Sequence, residues 1–120
     1  MAKVMVVDDA LSELKLMEAI LKGAGHQVLS LADGDEIEDK CTKECPDLVL
    51  LDIVMPKRNG YEILRSLKRD ERTRATPVVL VSSKNQESDR VWGKRQGADD
   101  YLPKPFTSDQ LLNMVGRFVR

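Results

Sequence analysis

The chain has 120 residues, 42% hydrophobic and 32% charged, the size and balance of one globular domain rather than of a disordered segment. Its 19 basic and 20 acidic residues leave no net field to attract nucleic acid or an anionic membrane. No apolar run approaches the ~18 residues of a membrane helix, and Met1-Ala2-Lys3-Val4 does not begin a signal peptide.

A cytoplasmic protein without membrane insertion is therefore expected, and Cys41, Cys45 and the lone His26 supply neither a disulfide framework nor a zinc site. The first apolar run, Val4 to Val7, reads as a strand and ends at Asp8-Asp9. Leu11, Leu14, Met17, Ile20, Leu21 and Ala24 then recur at helical spacing, with Gly23 and Gly25 bracketing the end. A second strand is expected over Gln27 to Leu31. A second helix follows over Asp35 to Lys43, ending before Pro46, which cannot continue it. The third strand, Asp47 to Leu51, runs into Asp52, and Tyr61, Ile63, Leu64 and Leu67 mark the third helix. The fourth strand, Val78 to Val81, is followed by Ser82-Ser83 and by a short helix carrying Val91 and Trp92 that stops near Gly97. The fifth strand, Asp100 to Leu102, leads to Lys104-Pro105. Leu111, Leu112, Val115 and Val119 line a last helix with Thr107 or Ser108 as N-cap.

Strand–helix alternation of this kind requires a parallel sheet, because each helix returns the chain for the next strand. Right-handed crossovers favour a doubly wound, five-stranded, flavodoxin-like α/β sheet of order 2-1-3-4-5. Residues 1–120 are expected to form a single domain with no output domain attached. In such sheets ligands bind beyond the carboxyl ends of the strands, where the strand order reverses. Asp8-Asp9, Asp52, Ser82-Ser83 and Lys104-Pro105 each follow an apolar run, so all should collect on that edge, with the three aspartates close together.

Clustered carboxylates repel one another unless a cation joins them, and a hard, oxygen-seeking ion such as Mg²⁺ suits the site. Lys104 adds an ammonium and Ser82 a hydroxyl. One carboxylate nucleophile, a metal pocket, a cation and a hydroxyl together suit in-line phosphoryl transfer. Taken singly, each feature has a plainer explanation: paired aspartates cap helices, Lys-Pro makes a turn, and Ser-Ser begins a loop. Their joint occurrence, each at the same end of its strand, is what points to function.

The segments Val-Val-Asp8-Asp9, Leu-Leu-Asp52-Ile-Val-Met55-Pro56-x-x-x-Gly60, Val-Ser82-Ser and Tyr101-Leu-Pro-Lys104-Pro105-Phe resemble the receiver domains of two-component response regulators over essentially the whole chain. The resemblance implies that Asp52 is the phosphoacceptor. It implies a Mg²⁺ site formed by Asp9, Asp52 and the backbone carbonyl of Val54, with Asp8 acting largely through water. Ser82 and Lys104 would contact phosphoryl oxygens, Lys104-Pro105 would be cis, and Gly60 would allow a backbone geometry that a side chain obstructs. It further implies a switch in which Ser82 moves inward and Tyr101 rotates into the space behind the fourth strand. That would alter a surface of fourth helix, fifth strand and fifth helix on which Trp92, Lys94 and Arg95 are candidate partner contacts. Packing of the Trp92 ring on the third or fifth helix is the other reading of that residue.

The stretch from Lys84 to Tyr101, with its Trp92-Gly-Lys-Arg-Gln-Gly97-Ala core, is similar to the single-domain, PilH-type regulators of type IV pilus chemotaxis-like systems, which govern twitching motility and phototaxis. This similarity implies a CheA-like sensor histidine kinase as phosphodonor, directly or through a phosphotransfer domain, and a downstream motility protein as target. Ser83, Val54 and Lys84 depart from the commonest receiver pattern at positions bordering the phosphoryl group. Alternative functions are a phosphate sink for another regulator and a pseudo-receiver that binds partners without phosphorylation. An enzyme acting on a separate substrate, such as a metal-dependent phosphatase, would need a pocket built by inserted loops, and the chain has no length for one.

Overall fold

The computed structural model describes residues 2–84 and 86–119. Met1 lies outside the described residues, as does Asn85 within the stretch that carries the narrower similarity. The elements alternate as β1 (Lys3–Val7), α1 (Leu11–Gly23), β2 (Gln27–Leu31), α2 (Ile37–Glu44), β3 (Leu48–Asp52), α3 (Gly60–Arg69), β4 (Val78–Ser82), α4 (Glu87–Arg95), β5 (Asp100–Pro103) and α5 (Ser108–Gly116). All strand pairs are parallel, in the order β2-β1-β3-β4-β5.

Successive side chains of a strand point to opposite faces, so a sheet covered on both sides needs apolar residues at nearly every position. β1 shows this. Met5 and Val7 enter a core with Ile37 and Cys41 of α2 and Ile63, Leu64 and Leu67 of α3. Val4 and Val6 enter a second core with Leu14, Met17 and Leu21 of α1 and Leu111 and Val115 of α5. β3 and β4 are buried throughout, whereas β2, at the edge, exposes Gln27 and Ser30.

Several element ends differ from the expected ones where local hydrogen bonds compete with the helix. α2 begins at Ile37 rather than Asp35, because Asp33 Oδ1 accepts from the Asp35 N–H at 3.0 Å and holds that segment in a turn. α5 stops at Gly116, so Val119 lies beyond the helix although its side chain still packs on the core. Thr107 is the N-cap of α5: its hydroxyl accepts from the Gln110 N–H at 3.1 Å, and the Gln110 side chain accepts from the Thr107 N–H at 2.9 Å. α4 ends one residue before Gln96, and Gly97 follows at φ 111°, a conformation that favours glycine. Among the described residues, no helix is long and apolar enough to cross a membrane.

Candidate functional site

Parallel strands all end on one sheet edge, and β1 and β3 are neighbours whose connections leave in opposite directions. The crevice between them receives Asp8 and Asp9 from the end of β1 and Asp52, the last residue of β3. One carboxylate oxygen from each lies within 4.8 Å of the others. Asp8 is fully buried and Asp52 is 7% exposed, while Asp9 is exposed. Together with Ala10, Glu13, Val54, Ser83, Lys104 and Pro105 they line an open cavity of about 410 Å³.

Lys104 follows β5 and reaches across the site. Its Nζ donates to Asp8 Oδ2 at 2.8 Å, lies 3.7 Å from Asp52 Oδ1, and contacts Glu13 Oε2. The Lys104-Pro105 peptide is cis. Asp8 is fixed at both oxygens, since Oδ1 accepts from the Ala10 N–H at 2.9 Å where α1 begins. Burial, joined by repulsion from Asp8 and Asp9, pushes the Asp52 carboxyl up to about 6 despite the opposing field of Lys104. Burial works against the charge of Lys104, but its hydrogen bonds to Asp8 and Glu13 prevail and hold its pKa above the ordinary value. A carboxylate that gives up its charge so readily marks a site short of positive charge. Three convergent oxygen donors with one Lys suit a hard divalent cation.

Gly60 acts through space rather than through an unusual φ. A Cβ there would lie 2.4 Å from the Asp52 carbonyl oxygen and 2.7 Å from Ile53 Cα. Its N–H donates to the Ile53 carbonyl at 2.7 Å, pinning the start of α3 against the end of β3 that carries Asp52.

Ser82 ends β4 fully buried, and its Oγ accepts from the Lys84 N–H at 3.1 Å; Ser83 is the serine that lines the cavity. Tyr101 is 3% exposed and its hydroxyl donates to the Lys84 carbonyl. Burial raises the Tyr101 phenol above its usual range, against a hydrogen bond with Ser82. The ring thus occupies the interior in the unmodified chain, whereas the expected rotation is a change that would accompany phosphorylation. Gly93 provides the room: a Cβ on that α4 residue would lie 3.4 Å from Tyr101 Cδ2 and 2.9 Å from Leu80 Cδ1.

The three expected contact residues, Trp92, Lys94 and Arg95, are all exposed on α4. Trp92 is 48% exposed and turned toward α3, its ring edge-on to Tyr61 with centroids 6.4 Å apart and planes at 78°. The Trp92 ring therefore belongs to the α3–α4 side.

Sequence reasoning missed Glu13. Its signal was weak, because an acid in the first turn of a helix is ordinarily placed there by the helix dipole.

A family model for the response regulator receiver domain matches residues 4–116. PilH of Pseudomonas aeruginosa is 46% identical over 115 residues, covering 96% of this chain and 95% of that protein. The Escherichia coli transcriptional regulatory protein CpxR is 38% identical over 120 residues, but the chain spans only 50% of its length. The chemotaxis protein CheY4 of Vibrio cholerae superposes with a TM-score of 0.92 at 31% identity, covering 99% of each chain. Motifs, topology and relatives agree, and the chain belongs to the response regulator receiver domain family of two-component signalling.

Proposed function

We propose that Asp52 accepts a phosphoryl group from a histidine kinase and that the chain is thereby a phosphorylation switch. A carboxylate oxygen of Asp52 would attack the phosphorus of a phosphohistidine in line. The new P–O bond forms as the P–N bond breaks, and the electron pair returns to the imidazole, which takes up a proton. Lys104, 3.7 Å from Asp52, would neutralise charge on the phosphoryl oxygens. Asp9, Asp52 and the Val54 carbonyl would hold Mg²⁺, with Asp8 beside them, and the ion would supply charge neutralisation at the phosphoryl oxygens. The observation that carries this reading is that, of the two buried carboxylates facing the open cavity, Asp8 is tied at both oxygens while Asp52 stands 3.7 Å from the lysine, beside the exposed Asp9. The chain would act on itself alone, as a phosphoacceptor rather than as an enzyme with a separate substrate. Incubation with a small phosphodonor and Mg²⁺ should add one base-labile phosphoryl group, and Asp52→Asn should abolish it. Labelling of the variant at the wild-type rate would refute the assignment.

The pathway we infer is a type IV pilus chemotaxis-like one, with a CheA-like kinase or its phosphotransfer domain as donor. Two observations support it: the Lys84 to Tyr101 stretch, and the 46% identity to PilH across nearly the whole of both chains. A phosphate-sink role has one observation in its favour. Tyr101 already lies inside in the unmodified chain, as a sink that keeps one arrangement in both states would have it. Pull-down of partners with and without beryllofluoride separates the two, since a sink shows no partner whose binding changes.

A further inference from the structure

Lys104 Nζ touches three carboxylates, and the most distant is the one that phosphorylation involves. Asp8 lies at 2.8 Å, Glu13 is in direct contact, and Asp52 is at 3.7 Å. An ammonium has three N–H donors, and Asp8 and Glu13 engage two of them. The two partners differ in kind. Asp8 is 1% exposed along its side chain and held at both oxygens, so it is a permanent anchor. The Glu13 side chain is 43% exposed on the first turn of α1, and it can return to water at little cost. It lines the same cavity as Asp52.

From this geometry we propose that Glu13 is a positioning residue that holds the Lys104 ammonium while Asp52 is unmodified and competes for it with an incoming phosphoryl group. The inference rests on Asp52 being the phosphoacceptor. Glu13 keeps the lysine extended across the cavity and sets how readily it transfers to a new anion on Asp52. Release of Lys104 from Glu13 then becomes part of the cost of loading the site.

The test compares wild type with Glu13→Gln, Glu13→Asp and Glu18→Gln at saturating Mg²⁺. Glu18 lies on α1 and pairs with Lys22 and Ser30, so its variant removes the same charge away from the cavity. Calorimetry gives the beryllofluoride affinity, steady-state labelling separates the half-saturating concentration of a small phosphodonor from the maximal rate, and melting curves report folding. Glu13→Gln should bind beryllofluoride about threefold more tightly, the scale of one partly exposed ion pair that no longer competes. Its half-saturating donor concentration should fall by a similar factor while the maximal rate holds. Glu13→Asp, too short to reach Lys104, should behave like Glu13→Gln, and Glu18→Gln like wild type. Unchanged or weaker affinity in Glu13→Gln overturns the proposal, as does a Glu13→Asp variant that matches wild type, which would mean that charge alone matters. A wild-type chain that takes up no beryllofluoride overturns both this proposal and the reading of Asp52 as acceptor.

Discussion

Replacing Asp52 by Asn should stabilise the protein at neutral pH in the absence of divalent cations. Burial, with the charges of Asp8 and Asp9, raises the Asp52 carboxyl from 3.8 to about 6, a balance that already includes the attraction of Lys104. Between about pH 4 and 6 the folded chain therefore holds a proton on Asp52 that the unfolded chain has released. Stability contributed by the neutral acid is fully present below about pH 4 and is lost as pH rises through about 6. A rise of that size corresponds to about 3 kcal/mol, reached above pH ~7. Asn has nearly the same shape and no charge, so it should recover most of that, a rise in melting temperature of roughly 10 °C for a domain of this size. The assay is thermal and urea unfolding of both proteins from pH 4 to 8 in a chelator. The curves should converge near pH 4 and separate with rising pH. Equal stability at pH 7.5, or a gap that persists unchanged at pH 4, would refute the electrostatic account of the site.

Gly60→Ala should cost ~3 kcal/mol in urea unfolding, because its Cβ would collide with the backbone of Asp52 and Ile53, which cannot yield as a flexible side chain would. Glu38, whose carboxyl is held at about 2 chiefly by hydrogen bonds from Arg58 at 2.5 and 2.9 Å, should contribute stability above about pH 4.5 that is lost as pH falls toward 2. Arg58→Met should flatten that acid limb of the pH–stability curve, and an unaltered limb would assign it to other groups. Ser82→Ala and Tyr101→Ala should both remain phosphorylatable while blunting any change in partner affinity on beryllofluoride binding. A full wild-type response in both would exclude the Lys84 loop as the route.

Much of the site was legible in the chain itself. Asp8, Asp9, Asp52 and Lys104 each stand at the carboxyl end of an apolar run, and a parallel sheet leaves only one edge for those ends to share. The near-continuous apolar character of β1, β3 and β4 announced burial on both faces, as the two cores fed by alternate residues of β1 show. The start of α2 was less legible, because a side-chain turn at Asp33 competes with the helix over a single residue pair.

Topology and the roster of groups at the switch point follow from the order of residues along the chain, since period, strand ends and turn residues are local properties. What those groups touch does not. That Lys104 meets Glu13 as well as Asp8, that Tyr101 lies inside against Gly93, and that Trp92 leans on Tyr61 are all contacts between separate elements, fixed when the elements dock. The physical reason is that a helix's residues recur every 3.6 positions whatever lies opposite, while the rotation and distance at which α1 and α4 dock depend on side chains elsewhere filling the cores beneath them.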